Sequence, residues 1–561
     1  MDFINTGILG CSEAYFEKAL AEPVFFVDLN LDQVISCVQS ERSDYDIKKY
    51  FYRLPEDETV AKERVKMLRV LENKELFSAF LKFSNRMLEA RDYAAKYERA
   101  SFELQRQRFL LDCGAAYIDG IETLSLALKA FFNNKEQENI SQLLSGLWEA
   151  LKVYTKEQKY QTLRTLTKEL SAEFAGLRVQ VAVAKDRVKI TQEVSQENYS
   201  DTLKRLFPAQ AYREEFLENP FQAAKEPGEF EKLVLAVFCK NNPELFLKLK
   251  QYEKSFSRQV KPQETAFLPW QAANMQEYRN GLTQEFLEEW VLMLERQVQV
   301  YLAFRLFAER TAATGYPFVY PEFLNWQETD DVSKKNRMEI ADGYDLALLL
   351  KSVYSKQKVV CNDVYYGAKE AFLVVTGPNQ GGKTTFARSV GQAVYFSLMG
   401  LAAPCKRISL PFFYGILTHF SVEESLETGR GKLKEELVRL EPMMHTKEKN
   451  KFVVINELFT TAATYDGYIM GKRVMEHFIS QGCLGIYVTH IQELADEKNI
   501  GEEENRIVSL SACVDQKDAH IRTFQIIRKP AEGIGYAYGL VEKYHLTYPE
   551  LKERLKAQLD I

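Results

Sequence analysis

Residues 377–385 read Gly377-Pro378-Asn379-Gln380-Gly381-Gly382-Lys383-Thr384-Thr385, the full pattern G-x-x-x-x-G-K-[ST]. The apolar run AFLVVT at 371–376 comes before it and a helical segment after it, the context in which this pattern cradles phosphate. Glycines let backbone N–H groups turn inward, the Lys383 ammonium neutralises β- and γ-oxygens, and the Thr384 hydroxyl joins a magnesium shell at a helix N-terminus. All nine residues are candidate ATP contacts, and Thr384 is a candidate metal ligand. The competing reading is a glycine-rich turn that holds nothing.

About seventy residues on, the run KFVVI at 451–455 meets Asn456-Glu457. In nucleotide hydrolases built on such a loop this strand end usually supplies an Asp to the metal, followed by a Glu that polarises the attacking water. Here the metal position is Asn456. An amide keeps the shape and can accept from a metal-bound water, but it lacks the charge that holds Mg²⁺, so metal affinity should fall. Glu457 stands as the candidate base, against the plainer reading that both residues cap a strand. A third run, LGIYVT at 484–489, ends at Thr489-His490, which puts an imidazole at the carboxyl edge of a sheet, where ligands of α/β folds bind. His490 is a candidate γ-phosphate sensor or, equally, a satisfied structural histidine.

The elements needed to place these residues are legible. From about residue 358, short apolar runs alternate with helical stretches at 392–401, 466–480 and 539–559, the texture of an α/β domain with a largely parallel sheet. The first 340 residues read mostly as long packed helices. Leu76, Phe80, Phe83, Met87, Ala90, Ala94 and Tyr97 form one apolar stripe, and Leu287, Val291, Leu294, Val298 and Tyr301 form another. Residues 137–185 also read as helical. Turns are expected at Phe207-Pro208, Asn219-Pro220, Asn242-Pro243 and Leu268-Pro269.

Composition narrows the class. A chain of 561 residues, 46% hydrophobic and 27% charged, can build several cores and is not a disordered or collagen-like polymer. With 73 basic against 79 acidic residues it is not a basic nucleic-acid sponge, so any nucleic-acid contact needs local patches. Lys159, Arg164, Lys168 and Arg178 are one candidate patch, a solvated helix face being the alternative. Eight cysteines without a C-x-x-C pair fit reduced thiols rather than a zinc site. The start carries no positive leader, and no apolar run reaches about eighteen residues, so a cytoplasmic protein without membrane contact is expected. Protease, hydrolase and ABC-type signatures (H-E-x-x-H, G-x-S-x-G, LSGGQ) do not occur.

The segments TGPNQGGKTT, GRGKLKEEL, VVINELFTTAATYDG and YVTHIQEL, in this order and spacing, resemble the ATPase domain of the MutS family of DNA mismatch-repair proteins. Asn362-Asp363 looks like the family's Asn-Asp pair beside the bound nucleotide. The resemblance is dense from about 360 to 545. Before that FVDLNLDQVI and LAFRLFAERT are similar in texture to the family's core and lever. It implies a helical core and lever with a possible clamp over 1–340, and over 341–561 a P-loop ATPase domain ending in a helical dimerisation segment. It also implies ATP and Mg²⁺ as cofactors, a homodimer, and a repair-pathway protein as a further partner. The family's cross-dimer signature Gly-Arg-Ser-Thr is here Gly429-Arg430-Gly431-Lys432, with Glu436 retained. The serine that would reach the partner's nucleotide is absent.

The family's wedge, a Phe with a nearby Glu that reads mismatches, belongs to an N-terminal domain that this sequence leaves no room for, lever-like sequence starting near residue 24. Phe216-Leu217-Glu218 and Phe286-Leu287-Glu288 match its spelling inside helical, charged stretches and read as coincidence. Two functions stay open. One is an ATP-dependent DNA-structure sensor or clamp of mismatch repair or recombination, selective for shape rather than bases. The other is a nucleotide-gated dimeric scaffold with weak or absent hydrolysis, motivated by Asn456 and Gly431.

Overall fold

The computed structural model describes residues 3–18, 21–133, 140–177, 179–184, 187–192, 228–257, 286–324, 337–355, 358–421, 432–446, 449–496, 506–514, 522–531 and 545–559. The chain divides into two compact units, Met1–Ile8 with Val70–Gln299, and Leu9–Arg69 with Val300–Ile561.

The first unit is built on the long helices Lys74–Arg99 and Glu103–Asn133. Asn73 opens the former by accepting the Leu76 N–H on its side chain at 2.9 Å, which satisfies one of the orphan donors of a helix start. The whole stripe from Leu76 to Tyr97 is buried, as its spacing predicts. The helix Pro243–Phe256 begins with proline at its first position, so the expected break at Asn242-Pro243 is a helix start. Its Glu253 carboxylate is buried and accepts from Tyr97 Oη at 3.1 Å, Arg106 Nε at 3.1 Å and Gln107 Nε2 at 2.8 Å. Three donors offset the desolvation that a buried carboxylate suffers.

One expectation is corrected in this unit, and one candidate patch is weakened. Helices run from Gln142–Tyr154 and Gln158–Gly176, but the stretch to residue 185 does not continue as helix. Strands β1 (Val179–Ala184) and β2 (Arg187–Gln192) pair antiparallel there. Valines at 179, 181 and 183 repeat every second residue, which suits a pleated strand better than a helix. The basic patch is largely neutralised as well. Arg164 and Lys168 both bond Glu122, and Lys159 bonds Glu288 at 3.0 Å, while Arg178 lies outside the described residues. Phe286 is a core residue packed on Tyr117 and Phe256, and 216–218 lie outside the described residues.

The second unit holds strands β3 (Glu322–Phe323), β4 (Met338–Gly343), β5 (Asn362–Tyr366), β6 (Phe372–Thr376), β7 (Arg407–Leu410), β8 (Ile416–Phe420), β9 (Phe452–Asn456), β10 (Leu484–Val488), β11 (Ile507–Val514) and β12 (Arg522–Arg528). A six-stranded sheet has the order β12-β11-β6-β10-β9-β8, parallel throughout except for β12, and a four-stranded sheet has the order β3-β7-β4-β5. All five residues of each of β6, β9 and β10 are buried, which is why these runs read as unbroken apolar segments rather than alternating ones.

The helix Lys383–Leu398 is buried along most of its length, partly by residues far away in sequence. The Phe26 ring meets Tyr395 edge-on at 5.5 Å, Tyr395 Oη donates to the Phe51 carbonyl at 2.6 Å, and Gln392 Nε2 donates to the Leu29 carbonyl at 2.9 Å. These contacts group Leu9–Arg69 with the C-terminal sheets, across the change of texture near residue 340. Asp28 strengthens the join, accepting from Thr418 Oγ1 at 2.7 Å and from Arg439 at 3.0 Å.

Beside Thr418, His419 is 0% exposed on β8. Burial pushes its imidazole down to about 4; the Arg439 guanidinium adds to the shift, and Asp28 and the Glu436 backbone oppose it. The unfolded chain, with an ordinary His pKa of ~6.5, binds more protons at acid pH than the folded one, so stability is full above ~6.5 and is lost as pH falls through about 4. Denaturant unfolding measured across this window should lose up to about 3 kcal/mol more in the native chain than in His419→Leu. Equal losses in both would contradict this account.

Candidate functional site

The strand β6 delivers the chain into a loop only glycine can make at two points. Gly377 has φ +121°, and a Cβ there would lie 3.0 Å from both the Cβ and the backbone nitrogen of Ala512. Gly382 has φ +87° and caps the helix that starts at Lys383, with the Phe524 ring 3.3 Å from where its Cβ would be. Gln380 also adopts a positive φ, +59°. The loop therefore closes tightly between strand and helix, its backbone free to approach a ligand.

Lys383 is 4% exposed. Its Nζ donates to the Gly377 and Pro378 carbonyls, each at 2.9 Å. Burial pushes the ammonium below its ordinary value, and the Glu457 carboxylate partly opposes this. A cation desolvated in this way gains from an anion brought to it.

Parallel register aligns the neighbouring strand ends. Val488 pairs with Val375 on one side and Asn456 on the other, so the ends of β6, β10 and β9 lie side by side. Asn456 Oδ1 accepts the Thr384 hydroxyl at 3.0 Å. The next residue, Glu457, turns sharply with φ +57°, donates its N–H to the Val488 carbonyl at 2.9 Å, and places Oε1 3.0 Å from His490 Nε2. Thr489 is buried and its hydroxyl accepts the Ile491 N–H at 3.0 Å, so it shapes the turn that carries His490.

These groups meet at a cavity of about 610 Å³. Asn379, Gln380, Gly381, Gly382, Lys383, Thr384, Thr385, Glu457, His490 and Asn362 line it. Gly377 and Pro378 stand behind as acceptors for Lys383, and Asn456 stands behind Thr384. Asn362 uses its amide structurally: Nδ2 donates to the Phe524 carbonyl at 3.1 Å and Oδ1 accepts the Ile526 N–H at 2.8 Å. Asp363 is not among the lining residues; its carboxylate accepts the Asp342 N–H at 2.8 Å. Gly429, Arg430 and Gly431 lie outside the described residues, and Lys432 opens the helix Lys432–Met444.

Sequence reasoning missed the apolar side of the cavity, formed by Leu348, Val359, Val360 and Phe524. Phe524 sits on the antiparallel edge strand with φ +58° and an exposed ring. Its neighbours in RTFQIIR carry no motif, and the Asn362 amide, 162 residues away, bonds its carbonyl. Among the described residues no group of three or more His, Cys, Asp or Glu side chains could hold a metal on its own, and no helix is long and apolar enough to cross a membrane.

Residues 373–550 match the family model of MutS domain V. The DNA mismatch repair protein MutS of Thermotoga neapolitana is 32% identical over 211 residues, covering 34% of this chain and 26% of that protein. MutS of Thermotoga maritima is 29% identical over 186 residues (33% and 23%), and the DNA mismatch repair protein MSH2 of Saccharomyces cerevisiae is 30% identical over 139 residues (24% and 14%). The chain thus matches about a quarter or less of the length of these relatives. Over that stretch the chain is similar to domain V, the ATPase domain of the MutS family.

Proposed function

We propose that this chain is an ATP-dependent DNA-binding protein of MutS type, a sensor or clamp for DNA structure or damage in mismatch repair or recombination. The observation that carries the reading is the buried Lys383 ammonium inside a glycine loop, facing the Glu457–His490 pair across one cavity. On this reading residues 1–340 act as core, lever and clamp, and 341–561 as the ATPase. Two copies of the chain close on each other when ATP binds, and a repair-pathway protein reads the closed state. DNA is gripped through phosphates and shape rather than base edges.

The residues suit the substrate in these roles. The loop 379–385 and the Lys383 ammonium receive the triphosphate, while Leu348, Val359, Val360 and Phe524 offer an apolar side of the cavity to a base. Glu457 takes the proton of the attacking water, and His490 orients Glu457 and senses the terminal phosphate. Bound Mg²⁺ supplies charge neutralisation between phosphate oxygens. Thr384 Oγ1 and Asn456 Oδ1, 3.0 Å apart, form a hard oxygen pair suited to that ion. The pair is neutral, because an amide stands where such sites usually place a carboxylate. Metal affinity is accordingly weakened, which favours a second reading: a nucleotide-gated dimeric scaffold in which binding and closure outlast slow or absent hydrolysis.

Two measurements separate these readings. In steady-state hydrolysis with Mg²⁺, Glu457→Gln should lower kcat by about a hundredfold or more, and mismatched or branched duplexes should change the rate. Turnover indifferent to Glu457, or no binding of any duplex with or without ATP, would contradict the sensor reading. In a magnesium titration, Asn456→Asp should lower the concentration needed for half-maximal turnover or nucleotide binding by about tenfold, because it restores a charge at the oxygen pair. An unchanged requirement would show that the amide does not limit metal binding.

A further inference from the structure

The turn that presents Glu457 is strained and is held from outside. Glu457 and Phe459 have φ of +57° and +63°, two non-glycine residues in the left-handed region within three positions. Such backbone persists only where its surroundings over-determine it. The Phe459 N–H donates at 3.1 Å to Oε2 of Glu436, a carboxylate 3% exposed on the helix Lys432–Met444. Burial and the Glu436 carboxylate together raise the Tyr487 hydroxyl above its ordinary value, so the same carboxylate lies close to β10, the strand that leads to His490.

The helix itself is anchored three residues further on, on the same face. Arg439 donates to both oxygens of Asp28, at 3.2 and 3.0 Å, and to the Phe420 carbonyl at 2.8 Å. Asp28 also receives Thr418. One end of this face is therefore fixed to the edge strand β8 and to the helix Val24–Asp28, and the other end to the turn after β9.

We infer that Glu436 is a positioning residue for Glu457: as a hydrogen-bond acceptor fixed in place by the Arg439–Asp28 pair, it clamps the left-handed turn that sets the Glu457 carboxylate against His490. It never touches the substrate. Its effect on turnover rests on the reading of Glu457 as the base of ATP hydrolysis; its effect on the turn does not. Because the clamp needs an acceptor and not a charge, the carbonyl oxygen of glutamine can replace it and a methyl group cannot.

Hydrogen exchange followed by mass spectrometry on the full chain, with and without Mg-ATP, tests this in Glu436→Ala and Glu436→Gln. The alanine variant should exchange at least tenfold faster in peptides covering 457–462, the glutamine variant should stay within threefold of the native chain, and both should keep the ATP protection of 376–386. In turnover, Glu436→Ala should lower kcat at least tenfold with KM unchanged, and Glu436→Gln should restore most of it. Should the alanine variant not fold, Glu436→Asp, one methylene too short, is read in its place. Native exchange at 457–462 in the shortened variant, or glutamine behaving like alanine, would overturn the inference. If ATP protects nothing at 376–386 in the native chain, the nucleotide reading fails while the exchange at 457–462 still decides the clamp.

Discussion

A lysine ammonium taken out of water must be repaid by nearby oxygens, and the second unit is arranged around that constraint. Lys383 is held by two backbone carbonyls of its own loop, and its ammonium is pushed down by burial. Carbonyl dipoles compensate such a charge less fully than a fixed carboxylate or phosphate would. The loop is thus kept in a state that gains from an incoming anion. Gly377, at φ +121°, supplies one of those carbonyls, and Gly382, at φ +87°, caps the helix that carries the amine.

Asn456, Glu457 and His490 are brought to this point by strand ends in register. Three parallel strands finish side by side, so Thr384, Asn456, Glu457 and His490 converge although more than one hundred residues separate the first from the last. The helix that begins with Lys383 cannot shift along its axis, because Tyr395 and Gln392 are bonded to Phe51 and Leu29. Burying a helix on several sides turns the placement of its first residue into a property of the whole core.

The parts of this site that were legible in the sequence are those whose physics is local. A glycine loop between strand and helix, an Asn-Glu pair at the end of a buried run, and a histidine ending the next run each announce themselves within a dozen residues. The Leu76–Tyr97 stripe was legible for the same reason, since helix periodicity is local. What escaped depends on long-range contacts. Nothing near Phe524 says that its ring will cover Gly382, because the Asn362 amide decides it. Likewise Leu9–Arg69 joins the helix Lys383–Leu398 through Phe26 and the edge strand β8 through Asp28. The hairpin at 179–192 carries only a short alternation, Val179, Val181 and Val183, beside a much longer helical pattern.

Asn456 separates binding from turnover in this account. The amide keeps Thr384 in place through one hydrogen bond, while the ammonium proposed to receive the anion bonds two carbonyls of its own loop. Binding should therefore survive whatever becomes of hydrolysis. The most direct test is equilibrium titration of the purified chain with ATP and Mg²⁺, beside Lys383→Ala. The account predicts saturable binding to the native chain, weakened at least a hundredfold in the variant. Equal affinity in both, or no binding to the native chain, would contradict it.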